Sequence, residues 1–89
     1  MKVSNKTCRP YVQNRREFQG HNLFGTTVNG NYVVYSYGRH FPLFAFVDGS
    51  WYSNSDKYSV STSKQRTQSH PQVNTIDLNT SDLKSLIGA

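Results

Sequence analysis

The chain has 89 residues, ten Lys or Arg against five Asp or Glu, a net charge of +5 and a pI of 9.6. Its one cysteine, Cys8, excludes an internal disulfide and a cysteine zinc cluster, and fits a reducing compartment. No apolar run approaches about 18 residues and none follows Met1-Lys2, so neither a membrane-spanning helix nor a secretory signal is expected.

Lys2, Lys6, Arg9, Arg15 and Arg16 all precede the first acid, Glu17, while the rest of the chain balances five bases against five acids. Residues 1–17 also contain Pro10 and lack sustained periodicity. They read as a basic, irregular N-terminal arm, with a short strand near Tyr11-Val12, ahead of a single β-rich domain at 18–89. Phe18, Leu23 and Phe24 are the apolar pins expected to anchor that arm.

The central stretch, Tyr32 to Thr62, carries nine of the twelve aromatics. Its periodicity is two, the repeat of a strand. In one strand Tyr32, Val34 and Ser36 share a face and Val33, Tyr35 and Tyr37 the other. In the next, Phe41, Leu43, Ala45 and Val47 oppose Phe44 and Phe46. Pro42 cannot donate to a ladder and belongs at a strand start or an edge. Asn29-Gly30 and Asp48-Gly49 are two-residue hairpin signals, because both central positions of such a turn need positive φ. They place Phe24 opposite Tyr35, Thr26 opposite Val33, Phe46 opposite Trp51 and Ala45 opposite Tyr52. With a third turn at Gly38-Arg39-His40, four strands follow at 23–28, 31–37, 41–47 and 50–54, and a fifth at Tyr58–Thr62.

The run from Ser59 to Gln72 has one apolar residue and no acid. Val73–Leu78 alternates again as a short strand. Asn79 can cap a helix that Asp82 supports, with Leu83, Leu86 and Ile87 on one stripe and Gly88 after it. The fold class is therefore mainly β (α+β): a small antiparallel meander or partly closed barrel of about five strands with one short C-terminal helix.

An enzyme is not expected. No HExxH, GxSxG, phosphate-binding glycine loop or paired histidine spacing occurs. His40 lies in a turn, His21 and His70 flank loops, and Cys8 in a flexible arm lacks an orienting scaffold and reads as dispensable. No metal or cofactor is expected either.

Binding fits better. Cations neutralise phosphates and hydroxyls donate to them, while exposed aromatics stack on unpaired bases. Arg15, Arg16, Arg39, Lys57, Lys64 and Arg66 supply charge, Tyr37 and Tyr58 rings, and Ser59, Ser61, Thr62 and Ser63 hydroxyls. The arm and the polar run would form one positive surface. In the opposite reading the helix and the arm cover both sheet faces and leave only tyrosine hydroxyls wet. Ser, Asn, Thr and Gln make up 31 residues, so apolar content is lean and a homodimer burying one more face is compatible.

The blocks Tyr35-Ser36-Tyr37-Gly38, His40, Pro42-Leu43, Trp51-Tyr52, Asn54, Asp56-Lys57-Tyr58-Ser59 and Ser61-Thr62-Ser63-Lys64, with Gln68 and Pro71, resemble a family of small domains encoded mainly by bacteriophages and mobile elements. Asn14-Arg15-Arg16-Glu17-Phe18 and Asn22-Leu23-Phe24 extend the likeness over most of 14–71. The resemblance implies action in the cytoplasm of a bacterial host. It leaves two expectations: a nucleic-acid-binding accessory protein, or an inhibitor docking on a host protein such as a defence nuclease or polymerase.

Overall fold

A computed structural model describes residues 3–4, 7–20, 22–36, 41–56 and 69–88. They form one six-stranded sheet in sequential order: β1 (Phe18–Gln19), β2 (Leu23–Val28), β3 (Asn31–Ser36), β4 (Pro42–Val47), β5 (Ser50–Asn54) and β6 (Ile76–Leu78). Helix α1 (Arg9–Gln13) precedes the sheet and helix α2 (Thr80–Ile87) ends it.

The two hairpins fold as their turns dictate. Asn29 and Gly30 take φ of 51° and 82°, and Asp48 and Gly49 take 50° and 81°. The pairs Phe24–Tyr35, Thr26–Val33, Phe46–Trp51 and Ala45–Tyr52 all face one another in the predicted register. The Phe46 and Trp51 rings meet at 5.2 Å and 62°, a tilted geometry that adds about 0.5–1.5 kcal/mol beyond the area buried.

Strict alternation fails once, at a β-bulge. Val34 pairs with Phe44 but Tyr35 pairs with Pro42, so Leu43 is an extra residue on β4. Leu43 consequently packs in the same cluster as Phe44, and leaves the face that alternation assigns to Ala45 and Val47.

The sheet is covered on both faces. Tyr32, Val34, Phe44 and Trp51 pack with Cys8, Val12 and Phe18 on one side. Val33, Tyr35, Ala45 and Val47 pack with Leu83 and Ile87 on the other. Helix α2 is capped by Asn79, whose side chain accepts from the Asp82 N–H at 2.8 Å, and Gly88 closes it at φ 74°. Two turns of helix are not stable in isolation. Burying Leu83 and Ile87 completely contributes about 3–6 kcal/mol as an upper figure.

The fold class is the expected one, a mainly β, mostly antiparallel sheet with one short C-terminal helix; it is not closed, β6 joins β5 in parallel, and among the described residues β1 and β6 are its edges. Four details are corrected. The segment before β1 is not an irregular arm with a strand at Tyr11-Val12: Arg9–Gln13 is helical, and Cys8 and Val12 are fully buried. The last strand spans only Ile76–Leu78. Leu86 does not join the buried stripe and is 36% exposed. Phe24 packs with Tyr35 on the α2 side, away from the N-terminal segment that it was expected to anchor. The expected strand at Tyr58–Thr62 and turn at Gly38-Arg39-His40 lie outside the described residues.

Candidate phosphate-binding surface

Of the residues singled out for binding, Arg15 and Arg16 are described and are brought together. Tyr37, Arg39, Lys57, Tyr58, Lys64 and Arg66 lie outside the described residues.

Arg15 and Arg16 form the exit of α1. The Arg16 N–H donates to the Tyr11 carbonyl at 2.8 Å and the Arg15 N–H to the Val12 carbonyl at 3.0 Å. This is the paired closure of a Schellman motif, which places its penultimate residue in the left-handed region. Glycine normally stands there, but here Arg15 does, at φ 53°. A non-glycine residue in that region costs on the order of 1 kcal/mol, and such outliers gather where a side chain is needed.

Both guanidinium groups are exposed, yet each rests on a ring. Arg15 lies 4.6 Å from the Phe46 ring centre and Arg16 lies 5.6 Å from that of Tyr11. The Arg16–Tyr11 contact stands where a Schellman motif usually has an apolar pair. From below, the Tyr32 hydroxyl donates to the Arg16 carbonyl at 2.8 Å. Burial raises the Tyr32 phenol above its ordinary pKa, with the neighbouring Cys8 and Glu17 adding to it.

Glu17, the adjacent acid, does not neutralise the pair. Its carboxylate accepts from the Thr26 hydroxyl at 3.1 Å and the Thr27 N–H at 3.2 Å, and so faces β2. Among the described residues, neither arginine forms an ion pair.

The end of the polar run docks beside this turn. Arg9 donates to the His70 carbonyl at 2.9 Å and Gln13 to the Pro71 carbonyl at 3.1 Å. The His70 ring stands edge-on to Phe44 at 5.2 Å, and its Nδ1 accepts from the Gln72 N–H at 2.9 Å. His70 therefore holds a turn in place. The described acids other than Glu17 lie elsewhere: Asp48 in a hairpin turn, Asp77 on β6, and Asp56 and Asp82 at the start of α2 on the opposite face.

The aromatic half of the expectation is not met by the described rings. Tyr32, Tyr35, Phe41, Phe44 and Trp51 are buried, and Tyr11, Phe24, Phe46 and Tyr52 are half-buried. Cys8 is also enclosed, and burial pushes its thiol up to about 11. That is the reverse of an activated nucleophile. No cluster of three metal-ligating side chains occurs among the described residues. Ser53 donates to Asp77 at 2.7 Å and receives Thr75 at 3.3 Å, which ties β6 to β5.

Sequence reading singled out the two arginines through charge but missed their scaffold. The signal for it, Tyr11 five residues before Arg16 behind Pro10, is weak in a helix so short. Also missed was an open groove of about 490 Å³ between Gly49–Trp51 and Val73–Ile76. Val73 and Ile76 are each 50% exposed there.

No helix among the described residues is long and apolar enough to cross a membrane. No family model, curated protein or solved structure matches the chain.

Proposed function

We propose that this is a small nucleic-acid-binding protein that grips the phosphate backbone with the arginine turn. On the phage-type resemblance, its setting is the cytoplasm of a bacterial host, where it acts as an accessory factor. One observation carries the reading: Arg15 and Arg16 are adjacent, exposed and supported on aromatic rings, with no ion pair among the described residues. A guanidinium held by stacking keeps most of its N–H donors for phosphate oxygens, Arg15 turning one to the Gln13 carbonyl at 3.5 Å, and loses less entropy on binding. The docked end of the polar run supports a shared surface, because it places His70 and Pro71 against α1.

Titrating a labelled oligonucleotide at several salt concentrations tests this. The wild type should show log affinity falling linearly with log salt. Arg15→Gln with Arg16→Gln should lower that slope by about 1.5–2 units at unchanged fold. An unchanged slope in the folded variant would remove the reading.

A protein partner is the second reading, and the groove beside β6 favours it. Exposed Val73 and Ile76 at a sheet edge suit an apolar contact with a host protein. Such a partner would be indifferent to Arg15 and Arg16, and sensitive to Ile76→Asp.

A further inference from the structure

The form of nucleic acid follows from what the arginine turn does to its own rings, and this inference rests on the phosphate-binding reading above. Proteins that hold unpaired strands offer aromatic faces on which successive bases stack. Here the two half-buried rings nearest the turn are already covered: Phe46 by Arg15 at 4.6 Å and Tyr11 by Arg16 at 5.6 Å. Phe46 also meets Trp51 edge-on at 5.2 Å, Tyr11 meets Phe18 at 6.2 Å, and Trp51 is 8% exposed. A ring face occupied by a guanidinium is closed to a base.

The backbone that carries the cations is held firmly, and each guanidinium is backed by a ring. Backbone bonds from Arg15 to Val12 and from Arg16 to Tyr11, with the Tyr32 hydroxyl on the Arg16 carbonyl, fix the turn from three directions. Two ring-backed cations on a firmly held turn suit a regular array of phosphates better than a flexible strand. We infer that the arginine turn binds the backbone of duplex nucleic acid and does not read unpaired bases.

Fluorescence anisotropy with a mixed-sequence labelled duplex, and with each of its separated strands, tests the inference directly. With two phosphate contacts, salt slopes of about 0.9 per contact for duplex and 0.7 for single strands make duplex binding roughly two- to threefold tighter near 0.1 M salt. Scrambling the duplex sequence should change affinity by less than about twofold, since backbone contacts carry no sequence information. Trp51, the one tryptophan, serves as an internal reporter, and its emission should not be quenched by either form. Single strands binding as tightly as duplex, or quenching Trp51, would overturn the inference. If that happened while Arg15→Gln with Arg16→Gln still weakened binding, the phosphate reading would survive and only the duplex preference would fall. If no oligonucleotide bound at all, both would fall.

Discussion

The Tyr32 hydroxyl reaches across from β3 to donate to the Arg16 carbonyl at 2.8 Å. This bond roots the exposed arginine turn in the buried sheet. Tyr32→Phe should cost about 0.5–1.5 kcal/mol of stability, the usual contribution of one such bond. It should also weaken oligonucleotide binding, although residue 32 is only 5% exposed. Paired melting and anisotropy measurements check both effects. Loss of stability without loss of binding would mean that the turn needs no such support.

Gly25 makes this reach possible. A Cβ at that position would overlap the Tyr32 hydroxyl and come within 2.7 Å of the Phe18 ring. Both obstacles are packed in the core and cannot swing aside. Gly25→Ala should therefore destabilise by about 1–3 kcal/mol through overpacking, read as a lower denaturant midpoint. Gly25→Ala combined with Tyr32→Phe should recover part of that loss, since one clash is gone.

Cys8 does not lie in the flexible arm that its sequence context suggests. It is fully buried among Val12, Phe18 and Tyr32. Ellman's reagent should find no reactive thiol in the folded protein at pH 8, and one thiol after unfolding. Cys8→Ser should cost about 1–2 kcal/mol, because a hydroxyl is harder to bury than a thiol. The sign of the pH effect follows from the raised thiol pKa, about 11 against an ordinary 9.0. Stability is fully present below pH 9, then falls as the unfolded chain ionises and the folded one does not, until about pH 11. Cys8→Ser should remove that part of the alkaline loss.

Asp56 acts at the other end of the molecule. Its carboxylate accepts from the Thr80 N–H at 2.8 Å, at the start of α2, and hydrogen bonds from the Thr80 backbone and then its side chain hold its pKa below the ordinary carboxylate value. A depressed folded pKa means stability that is present above the ordinary value and lost as pH falls through the lower one. Asp56→Asn should melt close to the wild type in acid but below it at pH 7. Equal melting at pH 7 would show that the charge contributes nothing to holding α2.

Local chemistry determined the middle of this fold. Asn29-Gly30 and Asp48-Gly49 impose two-residue turns, and a two-residue turn admits one register, so β2–β3 and β4–β5 were legible residue by residue. The α2 helix was legible for the same reason, with Asn79 before it, Gly88 after it and Leu83 and Ile87 one turn apart. What the ends do depends on distant partners. Arg9–Gln13 has too few residues to be helical by itself; it is helical because Val12 and Cys8 find the sheet, and because Tyr32, sixteen residues on, holds its exit. Period-two runs that are apolar on both faces cannot say whether those faces meet water, and here α1 and α2 cover them. The Arg15–Phe46 contact joins residues thirty-one apart, so only tertiary packing turned a basic stretch of sequence into a supported pair of cations.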